Sequence, residues 1–352
     1  MRYIHRIFAP PLGEEWPNDR LLAVFEPCIE RLELEPEAHA KLRDFVRFQL
    51  VGERSRRALT PWREERPTFQ QRAAGFEEGT ERALDALAEE ILPAIREAGV
   101  VFDAIIGTTA TGNLMPGISY RMAGRLGEHV RTDTTLLDLA NVGCTGSSKA
   151  LHLARAMEGS LENVLLVAVE VPSTLSDVTS SRPDIWQGNC TFGDGAAAVW
   201  VSSNRLLGPA AFAVEELRYK QWAATGLDLI RWEYNDYYNF ALRDEKTFER
   251  DVRQYVVDAL QETEAGWKEE PRWAIHPAGI TLLVRLSRKL GIPSEAIQPS
   301  VQHYRRHSNM SSASVLHILH RLMGETEPGS AINLLTMGAG FNVVYGRIRR
   351  ER

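Results

Sequence analysis

Three side chains far apart along the chain, Cys144, His276 and Asn309, are of the types that together carry out acyl transfer. Cys144 lies in LLDLANVGCTGSSKALHLARAME, residues 136–158, between an apolar run from Leu136 to Leu139 and a stripe of Ala150, Leu153, Ala154 and Met157. The run reads as a buried strand and the stripe as a helix, which places the cysteine on the turn Asn141-Val142-Gly143 between them. A thiol there faces unpaired backbone N–H groups and the positive end of the helix dipole, and both favour the thiolate and lower its pKa. The small residues Thr145, Gly146, Ser147 and Ser148 let a substrate carbonyl come close to the backbone. A solitary cysteine ordinarily fills space in a core; this setting points to a nucleophile. His276 ends another apolar strand, just before Pro277, and Asn309 opens a helical segment after a polar loop. Strand ends and helix starts gather at one edge of an α/β sheet, where ligands bind, so the three groups can converge there.

The other candidates weigh less. His303 and His307 are spaced like two metal ligands on a helix, but no acidic third ligand accompanies them and they read as solvated surface. His317 and His320 read as packing or surface residues, and His152, on the cysteine helix, as a supporting residue at most. No metal site is expected. Gly193-Asp194-Gly195 and Gly338-Ala339-Gly340 lack the spacing of a dinucleotide fingerprint. Both read as tight turns, the second also as backbone approaching a bound carbonyl. Arg54, Arg56 and Arg57 form a basic cluster that is ordinarily solvated and is also able to hold phosphates.

Strands and helices alternate around these residues. Strands are expected at 101–107, 164–171 and 196–201 in the first half and at 212–217, 272–276, 331–336 and 341–348 in the second. Helices are expected at 36–51, 118–126, 248–267 and from residue 279 to Leu290, with one or two acidic helices over 69–98 interrupted by Gly75, Gly79 and Pro93. Asn309 or Ser311 is the expected N-cap of another helix. Such alternation implies a largely parallel, buried sheet. A cluster of Ser, Asn, Gly and Pro at 202–209 divides the chain into halves 1–205 and 206–352, each α/β.

Bulk composition narrows the class. The 352 residues are 44% hydrophobic and 25% charged, ordinary for a globular protein. A net charge of −6 argues against general nucleic-acid binding. Three scattered cysteines suggest no disulfide framework. The start, MRYIHRIFAPPLGEEW, lacks a signal-peptide core, and no run is long enough to span a membrane. A reducing, cytoplasmic setting is the expectation.

Together the motifs resemble the type III polyketide synthases, the chalcone-synthase-like branch of the thiolase superfamily. The resemblance rests on Thr108-Thr109 with Met115-Pro116-Gly117 and Tyr120, on Gly143-Cys144, on FGDGAAAV from Phe192 to Val199, on WAIHPAG from Trp273 to Gly279, on NMSSASVL from Asn309 to Leu316, and on Gly338-Ala339-Gly340. These run in the family's order across roughly residues 100–345, and the combination is specific although each motif alone is weak.

The resemblance implies a thiolase-like α/β fold of two related βαβαβαββ halves in five αβαβα layers, assembled as a homodimer. It implies Cys144 as the acyl carrier, with His276 and Asn309 stabilising the enolate formed when a malonyl thioester loses CO₂. Backbone groups of Cys144, Gly338, Ala339 and Gly340 would hold the second oxyanion. Met115 would reach across the dimer, Glu170 would lie near the site, and Thr174, Leu175 and Leu229 would line the cavity. Arg54, Arg56 and Arg57 fall where the family binds coenzyme A phosphates. Acyl-CoA and malonyl-CoA are then the substrates, with no resident cofactor, no nucleic acid and no membrane, and the product is a pyrone, a resorcinol or a β-keto acyl compound.

Departures bear on the substrate. The loop Ser173–Ser181 lacks the usual phenylalanine, Gly226–Leu229 lacks another, and Ala339 stands where proline is common. An alternative within the superfamily is a ketoacyl-ACP synthase III-like enzyme that condenses chains held on an acyl carrier protein. Outside it, a papain-like hydrolase uses the same residue order, and a catalytically inert half of a heterodimer would keep these residues as scaffold.

Overall fold

The computed structural model describes residues 1–205, 211–234, 238–243, 245–261, 263, 267 and 270–352. The first half runs β1 (Tyr3–Phe8), β2 (Glu14–Pro17), α1 (Asn18–Glu30), α2 (Pro36–Gln49), β3 (Ser55–Ala58), α3 (Phe69–Ala98), β4 (Phe102–Thr109), α4 (Ile118–Leu126), β5 (Val130–Ala140), α5 (Gly146–Ala156), β6 (Asn163–Glu170), α6 (Pro183–Thr191) and β7 (Gly195–Ser202). The second runs β8 (Phe212–Gln221), α7 (Ala223–Gly226), β9 (Ile230–Tyr234), β10 (Tyr238–Leu242), α8 (Glu245–Leu260), β11 (Trp273–Ile275), α9 (Ile280–Leu290), α10 (Gln298–His307), α11 (Ser314–Glu325), β12 (Ala331–Gly338) and β13 (Asn342–Arg350). The expected division at 205/206 abuts residues 206–210, which lie outside the described residues.

A continuous sheet crosses the molecule in the order β11-β12-β13-β8-β1-β7-β6-β4-β5. It is mixed rather than largely parallel. β4/β5, β4/β6 and β11/β12 are parallel, whereas β6/β7, β1/β7, β1/β8, β8/β13 and β12/β13 are antiparallel. Local apolar runs identify a buried strand but not its neighbour, and the two returns at β7 and β13 carry the difference.

Alternation along the strands sorts the layers. Ala104, Ile106, Val164, Leu166, Val199 and Val201 face one way and join Ile332, Leu334, Val344 and Ile348 of the second half around α5 and α11. Ile105, Leu165, Val167 and Trp200 face the other way onto α3 and α4. Leu335, Val343 and Tyr345 pack on α8 and α9. The result is helix, sheet, helix, sheet, helix, with α5 and α11 as the shared middle layer.

Two local readings change. Residues 69–98 form one 30-residue helix, opened by a Thr68/Gln71 capping box. Gly79 does not interrupt it: a Cβ there would lie 3.0 Å from Val171, so the glycine permits close helix–sheet packing. β5 is not fully buried either. It forms the edge of the sheet, with Leu136, Leu137 and Leu139 only half-buried.

The turn before β7 is held by Asp194, fully buried, which accepts from the Leu59 and Ser173 amides at 2.6 and 2.9 Å and from Ser173 Oγ at 2.6 Å. Asp194→Asn replaces an acceptor oxygen with a donor facing these donors. The expected cost is ~1–3 kcal/mol for each orphaned group, read as a lower urea midpoint; an unchanged midpoint would contradict this tie.

Candidate active site

Cys144 stands on a short 3₁₀ turn, Gly143–Thr145, between the end of β5 and the start of α5. Gly143 adopts φ +67°, which favours a residue without a side chain, and a Cβ there would lie 3.0 Å from the Ala339 amide. Across the gap, a Cβ on Gly338 would lie 3.3 Å from the Cys144 amide. The nucleophile turn and the 338–340 loop, which links β12 to β13, therefore meet backbone to backbone.

The third segment is the turn 309–313 ahead of α11. The Ser311 amide donates to Asn309 Oδ1 at 2.8 Å, which makes Asn309 the acceptor of its own turn; neither Asn309 nor Ser311 is the N-cap of α11, a place taken by Ala313 after the 3₁₀ turn Ser311–Ala313. The Asn309 and Ser311 side chains stand beside the Cys144 sulfur, and hydrogen bonding from them works to lower its pKa. Asn309 is also clamped through its backbone: its amide donates to the Thr191 carbonyl at 3.1 Å, and its carbonyl accepts from Gly193 at 3.0 Å.

His276 follows β11, its amide bonded to the Leu335 carbonyl at 2.8 Å. The side chain is 1% exposed, and both ring nitrogens are buried without a hydrogen-bond partner. The Asn309 carboxamide thus neighbours the Cys144 thiol, while the His276 ring hydrogen-bonds neither.

Burial governs the charges. Desolvation pushes the Cys144 thiol up to about 12, against donation from Ser311 and Asn309. The same effect pulls His276 down to about 3. The helix terminus alone does not yield the expected low-pKa thiolate, because loss of water outweighs it. Either charge alone is unfavourable here, so a thiolate requires a cation formed with it.

Cys144 opens on a cavity of about 300 Å³ walled by Trp62, Leu175, Ile185, Phe192, Trp232 and Phe240, with Ser311 and Ala339 beside the sulfur. Phe192 and Phe240 meet edge to face at 5.2 Å. Ser173–Ser181 and Gly226–Leu229 bring no phenylalanine to this wall; its aromatic rings come from the 62, 192, 232 and 240 segments. Leu175 lines the cavity as expected, while Thr174 and Leu229 stand elsewhere. Met115 is 96% exposed. Thr174 faces a neighbouring depression next to Arg72 and Gly75. Leu229 is in the core with Phe341, while Leu227 and Ile230 take the wall.

Glu170 lies behind the wall, fully buried. It accepts from the Ala110 amide and Thr111 Oγ, each at 3.0 Å, and from Ser312 Oγ and its amide. It ties the end of β4 to the Asn309 turn, and burial raises its pKa.

The basic cluster divides. Arg56 is fully buried, donating to the Cys190 carbonyl at 2.7 Å and to Asn18 Oδ1 at 2.9 Å, and is not a surface phosphate ligand. Arg54 donates to the Gln49 and Cys190 carbonyls. Arg57 is half-buried and paired with Glu15 at 3.7 Å. The three cysteines are free, and no helix among the described residues is long and apolar enough to cross a membrane.

Comparisons with known proteins agree with this architecture. Residues 137–214 match the model for 3-oxoacyl-[acyl-carrier-protein] synthase III, and residues 240–345 match that for the C-terminal domain of chalcone and stilbene synthases. The acylalkylpyrone synthase csyB of Aspergillus oryzae is 26% identical over 67% of this chain and 66% of its own length. A β-ketoacyl-[acyl-carrier-protein] synthase III from Neorickettsia sennetsu is 29% identical over 69% of this chain and 74% of its own. The bacterial type III polyketide synthase 1,3,6,8-tetrahydroxynaphthalene synthase from Streptomyces coelicolor A3(2) superposes with a TM-score of 0.84 at 21% identity, over 99% of each chain. The type III polyketide synthase domain of Steely1 from Dictyostelium also gives 0.84, at 18% identity, over 100% of this chain and 99% of that one. The fold is that of the thiolase-like condensing enzymes. Within them, the chain is similar to the type III polyketide synthases.

Gly143→Ala places a side chain at positive φ and against Ala339. We expect a loss of ~1–2 kcal/mol in urea unfolding, together with slower reaction of Cys144 with iodoacetamide. An unchanged midpoint and unchanged alkylation would contradict the turn geometry.

Proposed function

We propose that the chain catalyses decarboxylative Claisen condensation, joining a malonyl unit to an acyl group carried on Cys144. The observation that carries this reading is the placement of Cys144: its turn meets the 338–340 turn backbone to backbone on the wall of an apolar cavity, with Asn309 neighbouring the thiol.

The steps follow from the groups present. Proton transfer from Cys144 to His276 creates thiolate and imidazolium together, which burial disfavours singly. The thiolate attacks an acyl thioester, and the developing oxyanion takes the amides of Cys144 and the 338–340 loop. Malonyl thioester then enters. The unpartnered His276 Nε2 and the Asn309 Nδ2 donate to its thioester oxygen, a charge that grows only as CO₂ leaves. The enolate carbon attacks the Cys144 thioester, and the sulfur departs as thiolate. Glu170, through Ser312, holds the turn that aims Asn309.

The aromatic and aliphatic wall suits an apolar acyl starter. Coenzyme A thioesters are the proposed substrates; a solved csyB structure is described as complexed with CoA-SH. Arg57 is the candidate phosphate contact left in the 54–57 cluster. The half-buried edge strand β5 and the exposed Met115 support a homodimer, since a long unpaired edge invites a partner. The halves 1–205 and 206–352 are the proposed division, each contributing one side of the site.

A carrier-linked reaction is the second reading, favoured by the match of residues 137–214. Turnover with malonyl-CoA against malonyl-carrier protein separates the two: extension confined to the carrier-bound donor would overturn the CoA assignment.

A screen of acyl-CoA starters with malonyl-CoA, read by product mass, tests the reaction. Asn309→Ala is expected to retain acyl loading while losing roughly 10²–10³-fold in extension. Full extension by this variant would overturn the enolate assignment.

A further inference from the structure

The nucleophile turn and the 338–340 loop approach backbone to backbone, yet among the described residues no backbone hydrogen bond joins them. Their tie is a side chain. Asn342, the first residue of β13, is 2% exposed. Its Nδ2 donates to the Ala339 carbonyl at 2.5 Å, and its Oδ1 accepts from Thr145 Oγ at 2.7 Å. A carbonyl only accepts, which fixes the carboxamide: Nδ2 faces Ala339 and Oδ1 is left for the Thr145 proton. Thr145 Oγ also lies 3.1 Å from the Val142 carbonyl, so the hydroxyl is anchored within its own turn. One carboxamide therefore joins the residue after Cys144 to the middle of the loop opposite.

Gly143, Cys144, Ala339 and Gly340 face the cavity, whereas Thr145 and Asn342 are buried outside its lining. Close approach stops the two turns from coming nearer: a Cβ on Gly338 would already lie 3.2 Å from the Thr145 amide. It does not stop them from separating or tilting. Hydrogen bonds do, because they are directional and weaken steeply as the angle opens. An aliphatic side chain at 342 would fill the same space and make neither bond. The other buried tie near the sulfur, Glu170, acts on a different turn, holding 309–313 through Ser312. Two oxygens that gain charge in the proposed reaction are thus served by separately supported segments.

We propose that Asn342 is a positioning residue for acyl transfer: bridging Thr145 and Ala339, it sets the spacing between the Cys144 amide and the amides of the 338–340 loop. The inference rests on the acyl-loading half of the condensation reading. In that step the Cys144 sulfur forms a bond to the acyl carbon, and the carbonyl π pair moves onto oxygen. The pair returns as the bond to the coenzyme A sulfur breaks, and the proton given up by the Cys144 thiol ends on the departing thiol. The oxygen carries charge only in between, and donors stabilise it when they stand about 2.7–3.1 Å from where it forms. Amides on two separate turns meet that condition together only if the turns keep one spacing. Asn342 and Thr145 touch no substrate and act through the backbone they hold.

The test follows single-turnover acylation of Cys144 by hexanoyl-CoA, read by intact mass. In Asn342→Leu the maximal rate is expected to fall by roughly 10²-fold, the loss that a misplacement of about 1 Å can cause, while the half-saturating hexanoyl-CoA concentration stays that of the wild type. Thr145→Val breaks the same bridge from its other end, so the double variant is expected to be about as slow as the slower single one, not slower by the product of the two losses. Asn342→Asp carries the comparison should the leucine variant not fold. Its ionised carboxylate opposes the Ala339 carbonyl, and the protonated acid can donate to it, so its rate relative to the wild type is expected to rise on acidification from about pH 8 to about pH 5.5. Unchanged loading in Asn342→Leu, fully multiplicative losses in the double variant, or a low Asn342→Asp ratio that does not rise with acid would each overturn the bridge. Wild-type loading on Cys144 without any malonyl-dependent extension would instead overturn the condensation reading and leave the bridge standing.

Discussion

An added methyl on Gly143 would lie 3.0 Å from the Ala339 amide, and one on Gly338 would lie 3.3 Å from the Cys144 amide. That backbone-to-backbone approach is the constraint on which the rest of the structure depends. The two turns follow β5 and β12, strands near opposite ends of one nine-stranded sheet. They can meet because both halves of the sheet turn one apolar face onto the shared pair α5 and α11. The central core sets the distance between the halves, and that distance sets whether two sets of amides can point at one oxygen.

Buried carboxylates then fix the loops that the core alone would leave loose. Glu170 gathers donors from the β4 end and from Ser312, and Asp194 gathers donors from Leu59, Thr60 and Ser173. Each is fully buried, and burial raises the pKa of each. Such groups are tolerated because several hydrogen bonds compensate the lost water. The consequence is specificity of position: Asn309 is held by its backbone amide and carbonyl and by its own turn, beside the Cys144 thiol.

Much of this was legible in the sequence, and the failures share a cause. Continuous apolar runs such as Val164–Val169 located buried strands, and the Cys144, His276 and Asn309 junctions fell at strand ends and a helix start as read. Strand order was not legible, because a run of valines carries no record of its neighbour. The polar stretch at 183–191 concealed α6, whose buried face includes Ile185 and Trp186. Arg56 read as surface by its charge, yet its guanidinium is consumed by carbonyls from a segment about 134 residues away. The cavity wall was the least legible part, because Trp62, Phe192, Trp232 and Phe240 come from separate segments and only the fold makes them neighbours. The burial of His303, which read as surface, was hidden for the same reason: it meets His307 on its own helix, α10, and His317 on α11.

The central claim is that one sulfur of three, Cys144 rather than Cys28 or Cys190, carries the acyl group. Peptide mapping by mass spectrometry after incubation with an acyl-CoA addresses it directly. The account predicts the acyl mass on the peptide containing Cys144 and on neither of the others. An unmodified Cys144 peptide, or acyl mass found on Cys28 or Cys190, would contradict it.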